Sequence, residues 1–296
     1  MQSKFYEYHP IINFLFFTIT IAFSMFVLHP VFLGISLINS ITYSIILNGR
    51  KAIKFNILYI LPTMVIAILI NALTNRRGTT VIMNITNNIT ITYEALLFGI
   101  AAAVMIVCVI CWFSCYNKIM TTDKFIYIFG KSIPSLSLVF SMIFRFVPRF
   151  KAQFKKTVNA QKCIGNDAFS GNIANRLKSL LKIVSIMMSW ALENSIETAD
   201  SMKGRGYGLK GRTAFSIYKF GTKDWVALIY IILSAIYIFT GIIRGGIEYT
   251  YYPKVTMQLT TPYAASIFFA YGLLCIMPII IELLEDIKWK YLKSTI

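Results

Sequence analysis

The sequence predicts an all-α polytopic membrane protein, with about six transmembrane helices and further long amphipathic helices that stay outside the lipid. Of its 296 residues, 57% are hydrophobic and only 14% are charged, and the mean hydropathy of +0.66 is too high for a surface that faces water. Six apolar runs of about 16–23 residues recur along the chain, and about 20 helical residues cross the hydrocarbon layer. A basic stretch between the fourth and fifth runs has amphipathic spacing instead.

These runs divide the chain into three blocks. Residues 1–116 form an N-terminal transmembrane block of about four helices, residues 117–223 form a basic region, and residues 224–296 form a C-terminal transmembrane block of about two helices. The runs are Ile11–Leu28, Val31–Leu47, Phe55–Ile70, Glu94–Tyr116, Trp225–Ile243 and Ala264–Leu284. The first run is followed by His29-Pro30 and a second apolar run rather than by a small-residue cleavage site, so we expect it to remain in the protein.

Positive charge is concentrated in the central block and predicts the orientation of the chain. Residues 117–223 carry 18 of the 29 Lys and Arg residues, against five acidic residues. Segments rich in Lys and Arg stay on the cytoplasmic side, so this block and both termini are expected in the cytoplasm, with Arg76, Arg77, Arg244 and Lys254 outside as a minority. The net charge of +17 accompanies membrane segments, and it fits anionic lipid or acidic protein partners rather than nucleic acid.

Few ionisable or thiol side chains lie in the apolar runs. Three cysteines share one run, and no histidine or acid lies at the same depth to complete a metal site. They are interpreted as small core residues: Cys108, Cys111 and Cys115. Glu94 is the first residue of its apolar run. It could be a carboxylate on an ion path or a water-exposed residue at the start of a helix, and the second interpretation is favoured. His9 and His29 each precede a proline and are interpreted as turn or helix-start residues. No cofactor or metal site is predicted.

The central block contains two amphipathic helix patterns. Apolar residues recur every four positions over Val139–Val158, and Pro134 and Pro148 are expected to start, bend or interrupt this helix. A second pattern runs from Ile173 to about Lys203. Its apolar stripe consists of Leu177, Leu180, Leu181, Val184, Met187, Met188 and Ala191. Neither pattern is continuous enough to span a bilayer, so each helix should lie along a membrane surface or pack on another protein.

A glycine-rich basic segment, Gly204–Thr213, follows the second pattern. Its spacing matches G-x-G-x-x-G and comes within one residue of a P-loop, but phosphate binding by such loops requires a strand before the loop and a helix after it. A charged helix precedes this segment, which argues against nucleotide binding. The residues fit a plain helix cap and a protein-docking site that exposes Arg205 between two glycines equally well.

The stretch Glu193–Thr213 resembles the second Ala-Arg-Gly coupling motif of the transmembrane T component of energy-coupling factor transporters, the family that includes the cobalt-transport permease subunit. Gly204 stands in place of the motif's alanine and is followed by Arg205 and Gly206. Further similar segments are His29-Pro30, Ile91–Ala95 and Arg145–Phe150. The resemblance assigns contact with an ATPase to Met202, Lys203, Gly204, Arg205, Gly206 and Tyr207.

The first coupling motif of this family is degenerate in the chain. By position it falls on Ala160, Gln161, Cys163, Ile164 and Gly165. Cys163 and Ile164 stand where the family has alanine and arginine, so only the glycine is kept. The resemblance therefore implies two unequal contacts, of which the one made by Arg205 is the stronger.

The resemblance implies a transport subunit without an ATP site, cofactor or catalytic residue of its own. Such a subunit joins two cytoplasmic ABC ATPase subunits to a small membrane-embedded substrate-binding subunit (S subunit), for uptake of vitamins or metal ions across the prokaryotic cell membrane. The helices around Val139–Ala160 and Ile173–Lys203 would be its two coupling helices, with Gly165 and Arg205 near their ends.

Two other classes of membrane protein predict different features in the sequence. A self-sufficient secondary transporter favours matching halves with broken helices, and a membrane-embedded enzyme brings acids and histidines together at an interface. The sequence has no evident repeat of that kind and only two histidines. Co-purification separates the classes, because two ATPases and a small membrane protein should accompany a T component.

Overall fold

A computed structural model shows a chain built almost wholly of helices. It describes residues 4–75, 78–86, 89–132, 134–166, 172–207, 209, 218–247, 249–253, 255–257 and 262–294. Arg76, Arg77 and Lys254, three of the expected external charges, lie outside the described residues, as do Gly208 and Lys210–Thr213 of the glycine-rich segment. Arg244, the fourth, is described and exposed. The chain divides into two compact units, one formed by Met1–Lys124 with Tyr218–Ile296 and the other by Phe125–Ile217.

Helices of membrane-spanning character make up most of the first unit. They are α1 (Pro10–Phe26), α2 (Pro30–Asn48), α3 (Arg50–Phe55) continued by α4 (Leu61–Thr74), α5 (Tyr93–Ile119), α9 (Thr222–Ile243) and α10 (Pro262–Ser294). Within the described residues, five stretches are long and apolar enough to cross a membrane, and α1 is a shorter apolar helix of 17 residues. The predicted all-α polytopic membrane fold is confirmed.

Histidine and proline set the starts of α1 and α2. His9 and His29 are the N-cap residues, and their Nδ1 atoms accept hydrogen bonds from the backbone N–H groups of Ile11 and Val31 over 3.4 and 3.2 Å. A proline follows each histidine at the first helical position, where no N–H is needed for the helix ladder. The interpretation of both histidines as helix-start residues is confirmed.

The third membrane helix begins earlier than the apolar run that predicts it. α3, a π turn at Asn56–Ile60 and α4 continue one another from Arg50 to Thr74. Pro62 in the first turn of α4 offers no N–H to the carbonyl four residues before it, and the widened turn lies directly ahead of this gap in the ladder. The helix therefore changes its hydrogen-bond spacing here without ending.

Two short β-hairpins connect membrane helices, and neither is predicted from the sequence. β1 (Val81–Thr86) pairs antiparallel with β2 (Ile89–Thr92) before α5, and β3 (Tyr249–Thr250) pairs with β4 (Thr256–Met257) before α10. Glu94 is only 2% exposed, and its carboxylate accepts hydrogen bonds from the N–H and Oγ1 of Thr80, the latter over 2.7 Å. The expectation that Glu94 faces water is wrong, because its carboxylate ties the first hairpin to the start of α5.

A buried polar network joins four helices of the first unit. The hydroxyl of Ser24 in α1 lies 2.7 Å from that of Ser36 in α2 and 3.0 Å from that of Tyr271 in α10. Nε1 of Trp112 in α5 donates to Ser36 over 3.0 Å, and the Tyr271 ring stacks on Phe32 with centroids 4.1 Å apart. Such hydrogen bonds hold membrane helices together, because an unpaired hydroxyl in this apolar interior has no water to bind.

The three cysteines of α5 face α2. Each is at most 1% exposed, and their thiols lie, in chain order, beside the hydroxyls of Ser36, Ser40 and Ser44. Small side chains on both helices allow their backbones to approach closely. The interpretation of Cys108, Cys111 and Cys115 as core residues is confirmed.

The second unit contains two long helices, α7 (Pro134–Cys163) and α8 (Ile173–Gly204), and α6 (Thr122–Ser132) leads into it. Pro134 begins α7 as predicted, whereas Pro148 lies inside the helix without ending it. The amide oxygen of Asn172 caps α8 by accepting from the N–H of Ile173 over 2.7 Å. α7 extends beyond the predicted Val139–Val158 at both ends, where its residues no longer show the apolar period.

Candidate docking site at the ends of two helices

α7 and α8 pack against each other away from their ends. Ile183 and Met187 of α8 are buried at this contact. The Thr157 hydroxyl of α7 donates to Sδ of Met187 over 3.7 Å, and the ring of Phe150 meets that of Trp190 edge-on with centroids 5.1 Å apart. The two helices therefore share a small core of their own.

The order of these contacts shows how the helices cross. Phe150 meets Trp190 whereas Thr157 meets Met187, so advancing along α7 corresponds to going back along α8. The two carboxyl ends therefore leave the crossing in opposite directions. At 1.5 Å per residue, α7 ends about 9 Å beyond Thr157 and α8 ends about 26 Å beyond Met187.

The end of α8 is a complete Schellman cap. The backbone N–H of Tyr207 donates to the carbonyl of Met202 over 3.0 Å, and that of Gly206 donates to the carbonyl of Lys203 over 2.8 Å. Gly206 has a φ of +74°, a left-handed conformation that glycine adopts without the steric cost a Cβ would add. Arg205 occupies the C-cap position directly before this glycine.

The end of α7 has the same cap. The N–H of Asn166 donates to the carbonyl of Gln161 over 2.9 Å, and that of Gly165 donates to the carbonyl of Lys162 over 3.1 Å. Gly165 has a φ of +82°. The buried Gln161 side chain also accepts a hydrogen bond from the amide of Asn166 over 3.3 Å. Ile164 therefore occupies the position that Arg205 has at the other end.

Matching hydrogen bonds define which residues of the two ends correspond. Gly165 corresponds to Gly206, Ile164 to Arg205 and Cys163 to Gly204. This is the correspondence that the resemblance to the family motif implies. Of its three positions the two ends agree only at the glycine, and Lys162 also corresponds to Lys203. The two ends share one backbone structure and differ in the side chains that they present.

The α7 end presents an aliphatic side chain at the C-cap position and one charged side chain, the exposed Lys162, in its last turn. Ile164 is 72% exposed. Ala160 and Cys163 are exposed as well, whereas the other four cysteines of the chain are buried. When a partner covers a branched aliphatic side chain this exposed to solvent, the free energy falls.

The α8 end presents positive charge. The guanidinium of Arg205 makes no hydrogen bond or ion pair with any residue that the structure describes. Lys203 lies 3.9 Å from Asp200 in an exposed pair, which contributes little in water. Tyr207 is 52% exposed beside them. A planar group with five N–H donors beside an aromatic ring is suited to carboxylate or carbonyl oxygens of another protein.

The predicted apolar stripe of α8 divides into two faces. Leu180 and Met187 pack toward α7. The outer face is exposed and comprises Leu177, Leu181, Val184 and Met188, continued by Ile173, Leu192 and Ile196. The last three were missed from the sequence, although their spacing of four residues continues the same line along the helix. An open groove of about 370 Å³ between the helices joins the two faces and is lined by Phe150, Phe154, Val184, Met187, Met188 and Ala191.

The described part of the glycine-rich segment, Gly204–Tyr207, does not have the geometry of a phosphate-binding loop. It follows the carboxyl end of α8, where unpaired carbonyls rather than N–H groups point outward. The N–H groups of Gly206 and Tyr207 are used within the cap. The backbone of Gly204–Tyr207 is thus a helix cap, and this cap leaves the side chain of Arg205 exposed.

Comparison with known proteins identifies relatives among membrane transport components. The sequence profile of the cobalt transport protein family, CbiQ, matches residues 4–215. The chain is 33% identical over 107 residues to the energy-coupling factor transporter transmembrane protein EcfT of Lactobacillus helveticus, covering 36% of this chain and 39% of the relative. It is 33% identical over 112 residues to EcfT of Staphylococcus aureus, covering 38% and 42%.

The profile and the relatives cover the chain to different extents. The chain spans about two fifths of the length of these EcfT relatives. The profile begins in the segment before α1 and reaches past the ends of both α7 and α8, so it includes Gly165 and Arg205. A match over most of a chain that is also a multi-pass membrane protein is specific. The chain therefore belongs to the cobalt transport protein family of transmembrane transport components.

Proposed function

We propose that this chain is the transmembrane coupling subunit of an energy-coupling factor importer. It joins two cytoplasmic ABC ATPase subunits to an S subunit, and it transmits ATP-driven movement for the uptake of a vitamin or a metal ion. The observation that carries the proposal is the repeated cap, since two crossed helices end in one backbone structure on opposite sides of their crossing. Each end can then serve one ATPase.

Movement would pass from the ATPases through the contact between α7 and α8. The α8 end docks through Arg205 on carboxylate or carbonyl oxygens of an ATPase groove. When the ATPases close on nucleotide, the docked ends are displaced. The buried contact of Ile183 and Met187 makes the two helices respond as one body, because packed helices slide or rotate together rather than deform continuously.

The two docking ends are chemically unequal. Arg205 offers a charged planar group, whereas Ile164 at the corresponding position offers an aliphatic side chain. A groove that pairs with a guanidinium leaves buried polar groups unpaired when it receives isoleucine. The two ATPase grooves therefore differ where they meet these side chains, with carboxylate or carbonyl oxygens facing Arg205 and an apolar surface facing Ile164.

The S subunit would bind the outer apolar face of α8 and the adjoining groove. This face extends from Ile173 to Ile196, a rise of about 35 Å along the helix. Seven aliphatic or thioether side chains along one line form an anchor pattern of the kind that receives a partner helix. The partner is a small membrane protein, so an apolar contact suits it.

The central block, residues 117–223, is the cytoplasmic coupling region, and residues 1–116 and 224–296 are the membrane blocks. Contacts within the first unit support a position of both termini, and of both connections to the central block, on the same side of the membrane. Lys4 contacts Glu282 of α10, Lys124 contacts Tyr6, and Asp224 contacts His9, so these positions share one end of the helix bundle. The Lys and Arg excess of the central block supports a cytoplasmic position for that end.

Charge reversal at Arg205 tests the docking of the α8 end. Arg205→Glu should abolish coupled transport and weaken assembly with the ATPases, while membrane insertion is retained. Lys178→Glu reverses an exposed charge on the same helix far from its end and serves as the matched control. Normal uptake by an assembled Arg205→Glu complex would sink the docking proposal.

Cys163 supplies a probe for the α7 end. A thiol-reactive maleimide should modify it at least tenfold more slowly once the ATPases are bound, because docking covers this end. For the α8 end, Gly204→Cys in a Cys163→Ser chain places a thiol at the corresponding position, where no atom lies within 4 Å of the added Cβ. Equal labelling of either thiol with and without bound ATPases contradicts docking at that end.

A further inference from the structure

The N-terminal segment Lys4–His9 folds against the end of the first unit where α1 begins, α5 ends and α9 begins. Phe5 is fully buried, with its ring centroid 5.4 Å from that of Phe16 and 5.7 Å from that of Tyr8. The N–H groups of Lys4 and Phe5 donate to the carboxylate of Glu282 in α10 over 3.1 and 3.4 Å. The segment is therefore fixed to the last membrane helix.

The same segment holds the chain where it leaves the first unit. Lys124, the last residue before the second unit, is 1% exposed. Its Nζ donates to the carbonyl oxygen of Tyr6 and lies 3.8 Å from the centroid of the Tyr6 ring. With the Asn13 amide oriented to donate to Phe5, the Asn13 oxygen also accepts from Nζ over 2.9 Å. A buried ammonium needs such partners, since an unpaired one is costly.

The segment also holds the chain where it returns to the first unit. One oxygen of the Asp224 carboxylate accepts from the N–H of His9 over 3.0 Å, and the other accepts from the N–H of Gly221 over 2.9 Å. The His9 ring lies against Phe220 with centroids 4.7 Å apart. The returning chain begins at Tyr218, so it is fixed within a few residues of the boundary between the units.

We propose that Lys4–His9 is a clamp that positions both connections of the coupling region, so that displacement of α7 and α8 is passed to the membrane helices. A connection with free backbone torsions absorbs a displacement as a hinge does, whereas a fixed one transmits it. Lys124 and Asp224 act as positioning residues, and both lie outside the two docking ends. The clamp rests on the proposed coupling function, because it requires an ATP-driven displacement.

Amide hydrogen exchange in the whole complex, with ATPases and S subunit, measures this transmission without knowledge of the substrate. In the wild-type complex, Mg-ATP with vanadate should change exchange both at Met202–Tyr207 and in the first turns of α9. Lys124→Met keeps a side chain of similar length and removes its donors. We expect it to reduce the ATP-dependent change in α9 at least threefold and to leave the change at Met202–Tyr207 as in the wild type. Lys118→Met, at an exposed lysine of α5, should respond as the wild type does.

A second variant and a rescue guard against a loss of folding. Glu282→Gln replaces one of the two oxygens that accept from Lys4 and Phe5, and it should reduce the α9 response in the same direction. Lys4 and Glu285 lie 3.9 Å apart at their charged ends, so Lys4→Cys and Glu285→Cys in a Cys163→Ser chain can be joined by a short bifunctional thiol reagent. Joining them should restore the α9 response in Glu282→Gln, because the link replaces the weakened contact between the N-terminal segment and α10.

The outcomes separate failure of the clamp from failure of the coupling function. An unchanged α9 response in both Lys124→Met and Glu282→Gln overturns the clamp, and so does loss of the wild-type response when residues 4 and 285 are joined. A wild-type chain that binds no ATPase, or whose exchange at Met202–Tyr207 ignores ATP, overturns the coupling function instead.

Discussion

Alanine substitutions at two glycines of the α8 end should change the stability of the helix cap in opposite directions. Gly206 has a φ of +74°, a conformation that costs an L-residue about 1–2 kcal/mol. An added Cβ there would lie 2.9 Å from Cδ1 of Leu209, a flexible side-chain end that can move aside, so the backbone cost dominates. Gly204 is helical with no atom within 4 Å of an added Cβ, and alanine in a helix is favoured over glycine by about 0.5–1 kcal/mol.

Amide exchange of the cap measures both effects directly. The N–H groups of Gly206 and Tyr207 are bonded only while the cap is formed, so their exchange reports its opening. A loss of about 1–2 kcal/mol in Gly206→Ala corresponds to about 5- to 30-fold faster exchange. Gly204→Ala should slow it, and it also restores the alanine of the family motif. ATPase affinity should follow the same order, because Arg205 is held in place by this cap.

Gly165→Ala provides the matched comparison at the other end. Gly165 has a φ of +82° and no atom within 4 Å of an added Cβ, so only the conformational cost applies. The reasoning is refuted if Gly206→Ala leaves the exchange of the Tyr207 amide unchanged, or if Gly204→Ala accelerates it.

Three further predictions concern the interior of each unit. Burial lowers the pKa of Lys124 to about 8 from 10.5. The free energy of unfolding should therefore rise with pH between about pH 8 and 10.5. The melting temperature of Lys124→Met should not show this rise. Parallel slopes for both chains would contradict this. Trp112→Phe removes the hydrogen bond to Ser36 and should cost about 0.6–1.7 kcal/mol in detergent unfolding. Ile183→Ala leaves a cavity in the contact between α7 and α8 and should lower its stability by about 2–4 kcal/mol. The amide of Trp190 should then exchange faster. Exchange at the wild-type rate would contradict this prediction.

The helices could be predicted from the sequence because length and period are local properties. The six apolar runs reappear as membrane helices, and the starts at Pro10, Pro30 and Pro134 follow from the missing N–H of proline. The hairpins could not be predicted, since strands of two to six residues within connections give little periodic signal. The burial of Glu94 depends on Thr79 and Thr80, which come from a different segment of the chain.

The candidate site was predictable in its residues and not in its arrangement. The glycines mark where each helix must end, so the caps at Gly165 and Gly206 follow from the sequence. Periodicity defines an apolar line on α8 but does not say that Met187 faces α7 while Met188 faces outward. The clamp could not be predicted from the sequence, because Lys4–His9 has no periodic pattern of apolar residues. Its partners Lys124, Asp224 and Glu282 also lie far away in the sequence.

Tyr271 connects the part of the chain that matches the family profile to α10, which lies beyond that part. The family profile ends at residue 215, whereas Tyr271 from α10 closes the polar network with Ser24 and stacks on Phe32. A chain that ended at residue 215 would lack α10, so Phe32 would lose its stacking partner and the Ser24 hydroxyl would keep Thr20 and Ser36 as partners. The packing of α1 against α2 therefore depends in part on a helix that the profile does not cover.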